Sequence, residues 1–175
     1  MNIVFRSTQG FMDRVRSDLM RPHPFAHERV GFIAVRAAQG LDHLVLFAED
    51  YHPVADADYL RDDQVGAMMS QEALRKALEL ALFKPVGIFH VHMHTLGPRL
   101  WFSGVDLREQ RKYVPDFFNI RRSMPHGAIV LSPQSAAGRT WVSADQITPI
   151  NEFNIVGQRM QIIRASEDGS TDFYR

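Results

Sequence analysis

The chain has 175 residues, of which 45% are hydrophobic, so one domain can bury a sizeable core. The 20 Lys and Arg residues balance 20 Asp and Glu residues, which excludes the strongly basic surface of a nonspecific nucleic-acid binder. The sequence contains no cysteine, and it has neither a long apolar run nor a recognisable signal peptide. We therefore expect a soluble cytoplasmic protein with no disulfides, no cysteine nucleophile, no membrane partner and no nucleic-acid partner.

The first third of the chain predicts a helix followed by a hairpin. Apolar residues at four-residue spacing predict a helix from Thr8 to Met20. Two apolar segments, Val30 to Ala37 and Leu44 to Ala48, predict strands. A turn at Gln39-Gly40 between them predicts that the two strands pair.

The middle of the chain predicts a loop, a helix and a buried strand. The aspartate-rich stretch from Tyr51 to Asp63 predicts a loop with a short strand around Tyr59. Ser70 is a typical N-cap for a helix from Gln71 to Phe83. A strand from Val86 to Met93 follows.

A helix that begins at Ser103 is expected to end after about three turns, because Pro115 cannot donate a backbone hydrogen bond. Short strands are predicted after it, over residues 128–132, 139–143 and 153–163, the last with a break at Gly157. The order of elements predicts an α+β fold with a mostly antiparallel sheet flanked by helices. We expect a single domain over residues 1–164 and a polar, frayed C-terminal tail over residues 165–175.

Three histidines at alternating positions are the most unusual feature of the sequence. Residues two apart on a strand point to the same face, so His90, His92 and His94 are expected to project together. Two imidazoles and one carboxylate can hold a zinc ion and leave a fourth position open for water. Asp106, one turn into the helix that begins at Ser103, is the natural carboxylate.

Each feature taken alone also has an ordinary structural explanation. Ser103 and Asp106 form an S-x-x-D pattern, which begins helices in many proteins that have no active site. Glu28 precedes an apolar strand, where a solvated carboxylate is common. The alternating histidines directly upstream of S-x-x-D nevertheless favour a metal site.

The combination resembles the JAMM (JAB/MPN) zinc metalloprotease family, whose signature is an upstream glutamate, H-x-H and then S-x-x-D. The residues that carry the resemblance are Glu28, the Val86-Gly87-x-x-His90-x-His92 approach, Ser103 and Asp106. The resemblance implies a JAB/MPN-like (cytidine deaminase-like) fold. It also implies an isopeptidase that removes ubiquitin or ubiquitin-like proteins, although some bacterial members process small sulfur-carrier proteins. The compact chain favours a prokaryotic JAB-like, deubiquitinase-type member.

Two histidine pairs compete for the ligand positions in that signature. The pair His92/His94 leaves eight residues before Ser103, one more than the family usually has. The pair His90/His92 leaves ten residues but keeps the family's approach to the strand. We favour His92 and His94, because the loop length decides whether Asp106 reaches the metal, and we place His90 behind them.

The resemblance also implies the role of each residue. One zinc ion per chain would be held by His92, His94 and Asp106 and would activate a water. Glu28 would act as general base, and Ser103 would donate a hydrogen bond to the oxyanion. The implied partners are ubiquitin or ubiquitin-like conjugates, together with E1- and E2-like conjugation enzymes.

Three other functions compete with this prediction. A non-catalytic MPN-type interaction scaffold shares the fold but normally lacks at least one of the signature residues. A metal hydrolase of a sulfur-carrier protein or a small peptide keeps the site and changes the substrate. An unrelated β-rich metal-binding protein would need further ligands and would have no use for Glu28.

Overall fold

The computed structural model describes residues 1–62 and 66–173. Asp63, the last residue of the predicted loop, and the last two residues of the predicted tail lie outside this range. Three helices are present: α1 (Gln9–Leu19), α2 (Gln71–Phe83) and α3 (Gly104–Ile120). The strands are β1 (Asn2–Thr8), β2 (Val30–Gln39), β3 (His43–Pro53), β4 (Tyr59–Leu60), β5 (Met68–Met69), β6 (Gly87–Met93), β7 (Arg99–Leu100), β8 (His126–Leu131), β9 (Ala136–Ser143), β10 (Gln146–Pro149), β11 (Glu152–Val156), β12 (Gln161–Arg164) and β13 (Thr171–Asp172).

Nine strands form one sheet in the order β10-β9-β8-β6-β2-β3-β1-β11-β12. Five of its eight neighbouring pairs are antiparallel, and the parallel ones are β1–β3, β1–β11 and β6–β8. The predicted α+β class with a mostly antiparallel sheet is therefore confirmed. Within the described residues, no helix has both the length and the apolar character needed to cross a membrane.

The N-terminal half follows the prediction with two differences. The first helix, the β2–β3 hairpin and the short strand at Tyr59 are confirmed, and Thr8 Oγ1 caps α1 by accepting the Phe11 N–H. Strand β3 continues to Pro53, so the prediction of a loop from Tyr51 is wrong at its start, because Tyr51 pairs with Ile33. Strand β1 was not predicted, and it lies between β3 and β11 in the sheet.

The prediction that Pro115 ends the third helix is wrong. Helix α3 continues past it to Ile120. Val114, Phe117 and Phe118 are buried in a core cluster with residues of α2, β2 and β6. Their packing stabilises the last turns of the helix and offsets the hydrogen bond that proline cannot make.

The prediction of a frayed tail is also wrong for residues 170–173. Thr171 pairs with Leu100 of β7, and Phe173 is 2% exposed. The Ser132 hydroxyl donates a hydrogen bond of 2.8 Å to the Phe173 carbonyl. A buried aromatic residue near the end of a polar segment holds that segment against the sheet. The predicted break at Gly157 is confirmed, because β11 ends at Val156 and β12 begins at Gln161.

The sheet carries a hydrophobic cluster on each face. On one face, Phe89, Val91 and Met93 of β6 pack with residues of α1 and neighbouring strands. On the other face, Ile88 packs with residues of α2 and α3. Since side chains alternate along a strand, the histidines of β6 face the side covered by α2 and α3.

His126 is a buried histidine that links β6 and β8. The Ile88 N–H donates to His126 Nδ1 at 3.1 Å, and Nε2 lies 3.0 Å from the Arg121 carbonyl, so the ring binds both groups in its neutral form. Burial lowers the pKa of His126 to about 4.

This lowered pKa predicts acid sensitivity. Between pH 6.5 and 4 the unfolded chain takes up a proton at His126 that the folded chain does not. The free energy of unfolding therefore decreases as the pH is lowered through this range. We expect His126 to contribute a loss of about 3 kcal/mol by pH 4. Urea unfolding at several pH values should show a shallower pH dependence for His126→Gln. Equal slopes for both proteins would contradict this expectation.

Candidate metal centre

Strand β6 places the histidines at the end of the sheet's central strands. His92 lies opposite Val30 of β2 and opposite Val130 of β8. The His94 N–H donates to the Leu131 carbonyl at 2.9 Å, so pairing with the β8 chain continues past the end of β6. His92 and His94 therefore project from the same face, as the spacing predicts.

The imidazoles of His92 and His94 and the carboxylate of Asp106 lie close together. The two Nε2 atoms are 3.2 Å apart. Asp106 Oδ2 lies 3.4 Å from His92 Nε2 and 3.5 Å from His94 Nε2. His92 is 1% exposed, whereas His94 and Asp106 are partly exposed.

These distances fit the ligand set of a zinc ion. Zinc–nitrogen bonds of about 2.0–2.1 Å in a tetrahedral site place neighbouring ligand atoms about 3.3 Å apart. The three distances among His92, His94 and Asp106 are close to that value. His92 Nδ1, on the other side of the ring, is buried and has no hydrogen-bond partner among the described residues.

A second carboxylate approaches the same histidine pair. Ligand atoms of Glu28, His92 and His94 all lie within 4.8 Å of one another, and these three residues can hold a metal ion. The histidine pair is thus common to two possible ligand sets, one completed by Asp106 and one by Glu28. The nature of the donors, two imidazoles and carboxylates, is compatible with zinc.

Asp106 is positioned by the start of α3. Its Oδ2 accepts a hydrogen bond of 2.7 Å from the Ser103 N–H, and its own N–H donates to Ser103 Oγ at 3.2 Å. The S-x-x-D pattern is therefore a capping box, as its structural explanation predicts. The same Oδ2 atom faces both histidines, so the capping box also orients the carboxylate toward the candidate site. Ser103 is exposed, and its hydroxyl proton is not used in this contact.

Glu28 is held by a segment that sequence reasoning missed. The N–H groups of His27 and Glu28 both donate to the Gly66 carbonyl, at 2.8 and 3.0 Å. A Cβ atom at Gly66 would lie 2.7 Å from Cδ of Glu28 and 2.8 Å from its Oε2. A side chain at position 66 would displace the Glu28 carboxylate, and a single glycine in a loop carries no signal in the sequence that identifies it.

His90 lies behind the other two histidines. It is 7% exposed, and its ring centroid is 5.5 Å from those of both His92 and Tyr113. Burial, followed by the neighbouring His92, lowers the pKa of His90 to about 3. In this geometry the His92/His94 pair meets the carboxylates, and His90 faces Tyr113.

Electrostatic coupling between Asp106 and the histidines is strong. Burial acts to raise the pKa of Asp106, but hydrogen bonds with His92 and His94 outweigh it and hold that pKa well below its usual range. The hydrogen bond with Asp106 raises the pKa of His94 against the effect of burial. The metal-free cluster therefore favours an ionised aspartate and a protonated His94.

This coupling predicts how zinc affinity depends on pH. Zinc must displace the proton of His94, because a histidine binds metal in its neutral form. Because the pKa of His94 is raised, the apparent zinc affinity should begin to fall before an acidified solution reaches pH 6.5. Below pH 6.5 the affinity should decrease about tenfold for each further unit of pH. Competition with a chelator between pH 8 and 5.5 measures this dependence. A zinc affinity that is constant over that range would contradict it.

Two cavities meet at Glu28. One, of about 410 Å³, is lined by the whole cluster and extends between α3 and the β5–α2 segment. The other, of about 570 Å³, lies beside α1 and the loop that follows it and is lined by Met93 and Thr95. Glu28 lines both cavities.

No protein-family model matches the sequence, and no curated protein matches it.

Proposed function

We propose that the protein is a JAMM-type zinc metallopeptidase that cleaves after the C-terminal glycine of a ubiquitin or ubiquitin-like protein. The observation that carries this proposal is the convergence of His92, His94 and Asp106 at tetrahedral spacing, with a second carboxylate, Glu28, beside them. In this proposal Glu28 is not a ligand, so the fourth position, which a structural zinc site fills with a protein group, stays open for water. In this proposal the α+β fold is of the JAB/MPN type.

The residues divide into ligands and proton carriers. His92, His94 and Asp106 would hold the ion, which supplies Lewis acidity for a water and for the scissile carbonyl. Glu28, fixed by Gly66, takes the proton from the water and delivers it to the leaving amine. The Ser103 hydroxyl, which accepts the Asp106 N–H, would donate a hydrogen bond to the developing oxyanion.

The substrate part of the proposal is supported by the shape of the site. The 410 Å³ cavity beside the cluster has room for an extended peptide, and a Gly-Gly tail has no side chains that obstruct its approach. Such a substrate arises from conjugation, so E1- and E2-like enzymes are the proposed partners. We place the reaction in the cytoplasm.

The test is cleavage of matched substrates by zinc-loaded and chelator-treated protein. Three substrates are compared: a ubiquitin-like protein fused through its Gly-Gly terminus to a reporter, a sulfur-carrier protein with the same fusion, and a short Gly-Gly peptide. Zinc-dependent cleavage of the ubiquitin-like fusion supports the proposal. Cleavage of only the sulfur-carrier fusion or only the peptide changes the substrate class. Zinc binding without any turnover favours an interaction scaffold.

A further inference from the structure

The 410 Å³ cavity extends inward from the metal centre and ends at polar groups without partners. His90, Gln110 and Tyr113 line its inner part. His90 Nδ1, Gln110 Nε2 and the Tyr113 hydroxyl oxygen make no hydrogen bond within the described part of the chain. Buried polar groups are nearly always paired, so three such groups beside one cavity call for an explanation.

Secondary structure brings the three groups together. His90 lies two residues before His92 in β6, so both side chains point to the same face of the sheet. Asp106, Gln110 and Tyr113 lie on one side of α3, because four and three residues are close to one helical turn. At 1.5 Å per residue, Tyr113 lies about 10 Å along the helix from Asp106.

Apolar side chains form much of the remaining lining, and the charged residues Glu109 and Lys112 also line the cavity. The apolar residues are Val30, Ala67, Met68, Met69, Leu74 and Val105. A largely apolar cavity with a few polar groups is typical of a specific binding pocket, where a few polar contacts fix the orientation of the ligand.

The inner end offers mainly hydrogen-bond donors. Arg139 Nε donates to Gln110 Oε1 at 2.7 Å, which leaves the NH₂ group of Gln110 free to donate. Arg139 is 6% exposed and also donates to the Leu107 carbonyl at 3.3 Å, and its charge polarises the Gln110 amide. The Tyr113 hydroxyl adds a further donor. Such a set binds carbonyl or carboxylate oxygens.

We propose that this cavity is a substrate-binding pocket for an apolar residue of the substrate that does not itself form the scissile bond, and that the carbonyl or carboxylate oxygen of this residue binds Gln110 and Tyr113. The proposal rests on the proposed function, because the pocket opens at the metal centre. It adds a preference for an apolar side chain in the substrate near that bond. The unpaired groups are then reserved for the ligand at a cost to the stability of the free protein.

The test is calorimetric titration with N-acetyl-leucinamide, and with N-acetyl-leucinate in parallel, into zinc-loaded and metal-free protein. We expect saturable one-to-one binding in both forms of the protein. Preference for the first probe identifies an amide carbonyl as the ligand atom, and preference for the second identifies a terminal carboxylate. Binding to metal-free protein does not require turnover, so this result is independent of the hydrolysis assay.

Two near-isosteric variants separate a binding role from a structural one. Tyr113→Phe removes only the unpaired hydroxyl, and Gln110→Glu keeps the acceptor for Arg139 while removing the donor. Each should weaken probe binding roughly fivefold. Because neither breaks a hydrogen bond within the protein, neither should lower the melting temperature.

Tyr51→Phe is the matched control. The Tyr51 hydroxyl donates to Asp18 at 2.6 Å, away from the cavity, so this variant should lower the melting temperature and leave probe binding unchanged. The proposal is overturned if neither probe binds the unmodified protein. It is also overturned if Tyr113→Phe and Gln110→Glu leave the affinity unchanged.

Discussion

Replacing Asp106 with asparagine, or His92 with alanine, is expected to reduce the zinc content from about one ion per chain to nearly none. Each change removes one of three proposed ligands whose atoms lie 3.2–3.5 Å apart. In the proposed site Glu28 is the general base and not a ligand, so it does not replace Asp106, and retention of zinc by Asp106→Asn would instead place Glu28 among the ligands. Elemental mass spectrometry on tag-free protein, purified without chelator, measures the ratio.

His90→Gln and His43→Ala are the controls for that measurement. His90 lies behind the pair that meets the carboxylates, and His43 is an exposed histidine in β3 that contacts Asp42. Both variants should keep their zinc. Retention of zinc by His92→Ala would contradict the site. If His90→Gln loses its zinc while a matching His94→Gln variant keeps it, the ligand pair is His90/His92 and not His92/His94.

Glu28→Gln is expected to keep zinc and to lose turnover by about 10²- to 10⁴-fold, the usual contribution of a general base. Glutamine has the same shape and preserves the backbone contacts with Gly66, but it cannot accept the proton of the attacking water. The measurement is kcat on the ubiquitin-like fusion, together with zinc content. Full turnover in this variant would remove Glu28 from the mechanism.

The matched control is Glu72→Gln, which changes an exposed carboxylate on α2 that pairs with Arg75. It should change neither zinc content nor kcat. Loss of zinc from Glu28→Gln would place Glu28 among the ligands, in the set that it forms with His92 and His94. Measuring zinc content and turnover in both variants therefore distinguishes the roles of Asp106 and Glu28: replacing a ligand abolishes zinc binding, and replacing the general base abolishes turnover.

Local rules accounted for the elements whose signals lie within a few residues. Helix α2 begins after Ser70, whose side chain accepts the Ala73 N–H, and it ends at Phe83 as predicted. The predicted last strand is interrupted at Gly157, which lies between β11 and β12. Capping and turn formation depend on the residue itself and its near neighbours, so the sequence reports them directly.

The same rules failed where distant residues decide the outcome. Pro115 breaks a local rule, but Phe117 and Phe118 are buried in a cluster that the helix can reach only in the folded protein. Strand β1 and the C-terminal segment join the structure through partners far away in the chain, as when Thr171 pairs with Leu100. Such packing gains are absent from any short window of sequence.

For the candidate site, the sequence by itself determined which groups are available and on which face two of them lie. The alternation of a strand places His92 and His94 together, and the S-x-x-D pattern orients Asp106 at the start of a helix. Only the tertiary structure decided that Glu28 faces this pair and that Gly66 holds it there. It also decided that His90, Gln110 and Tyr113 share one cavity, because the contacts join α3, β6 and the β5–α2 segment, whose relative placement is set by packing across the sheet.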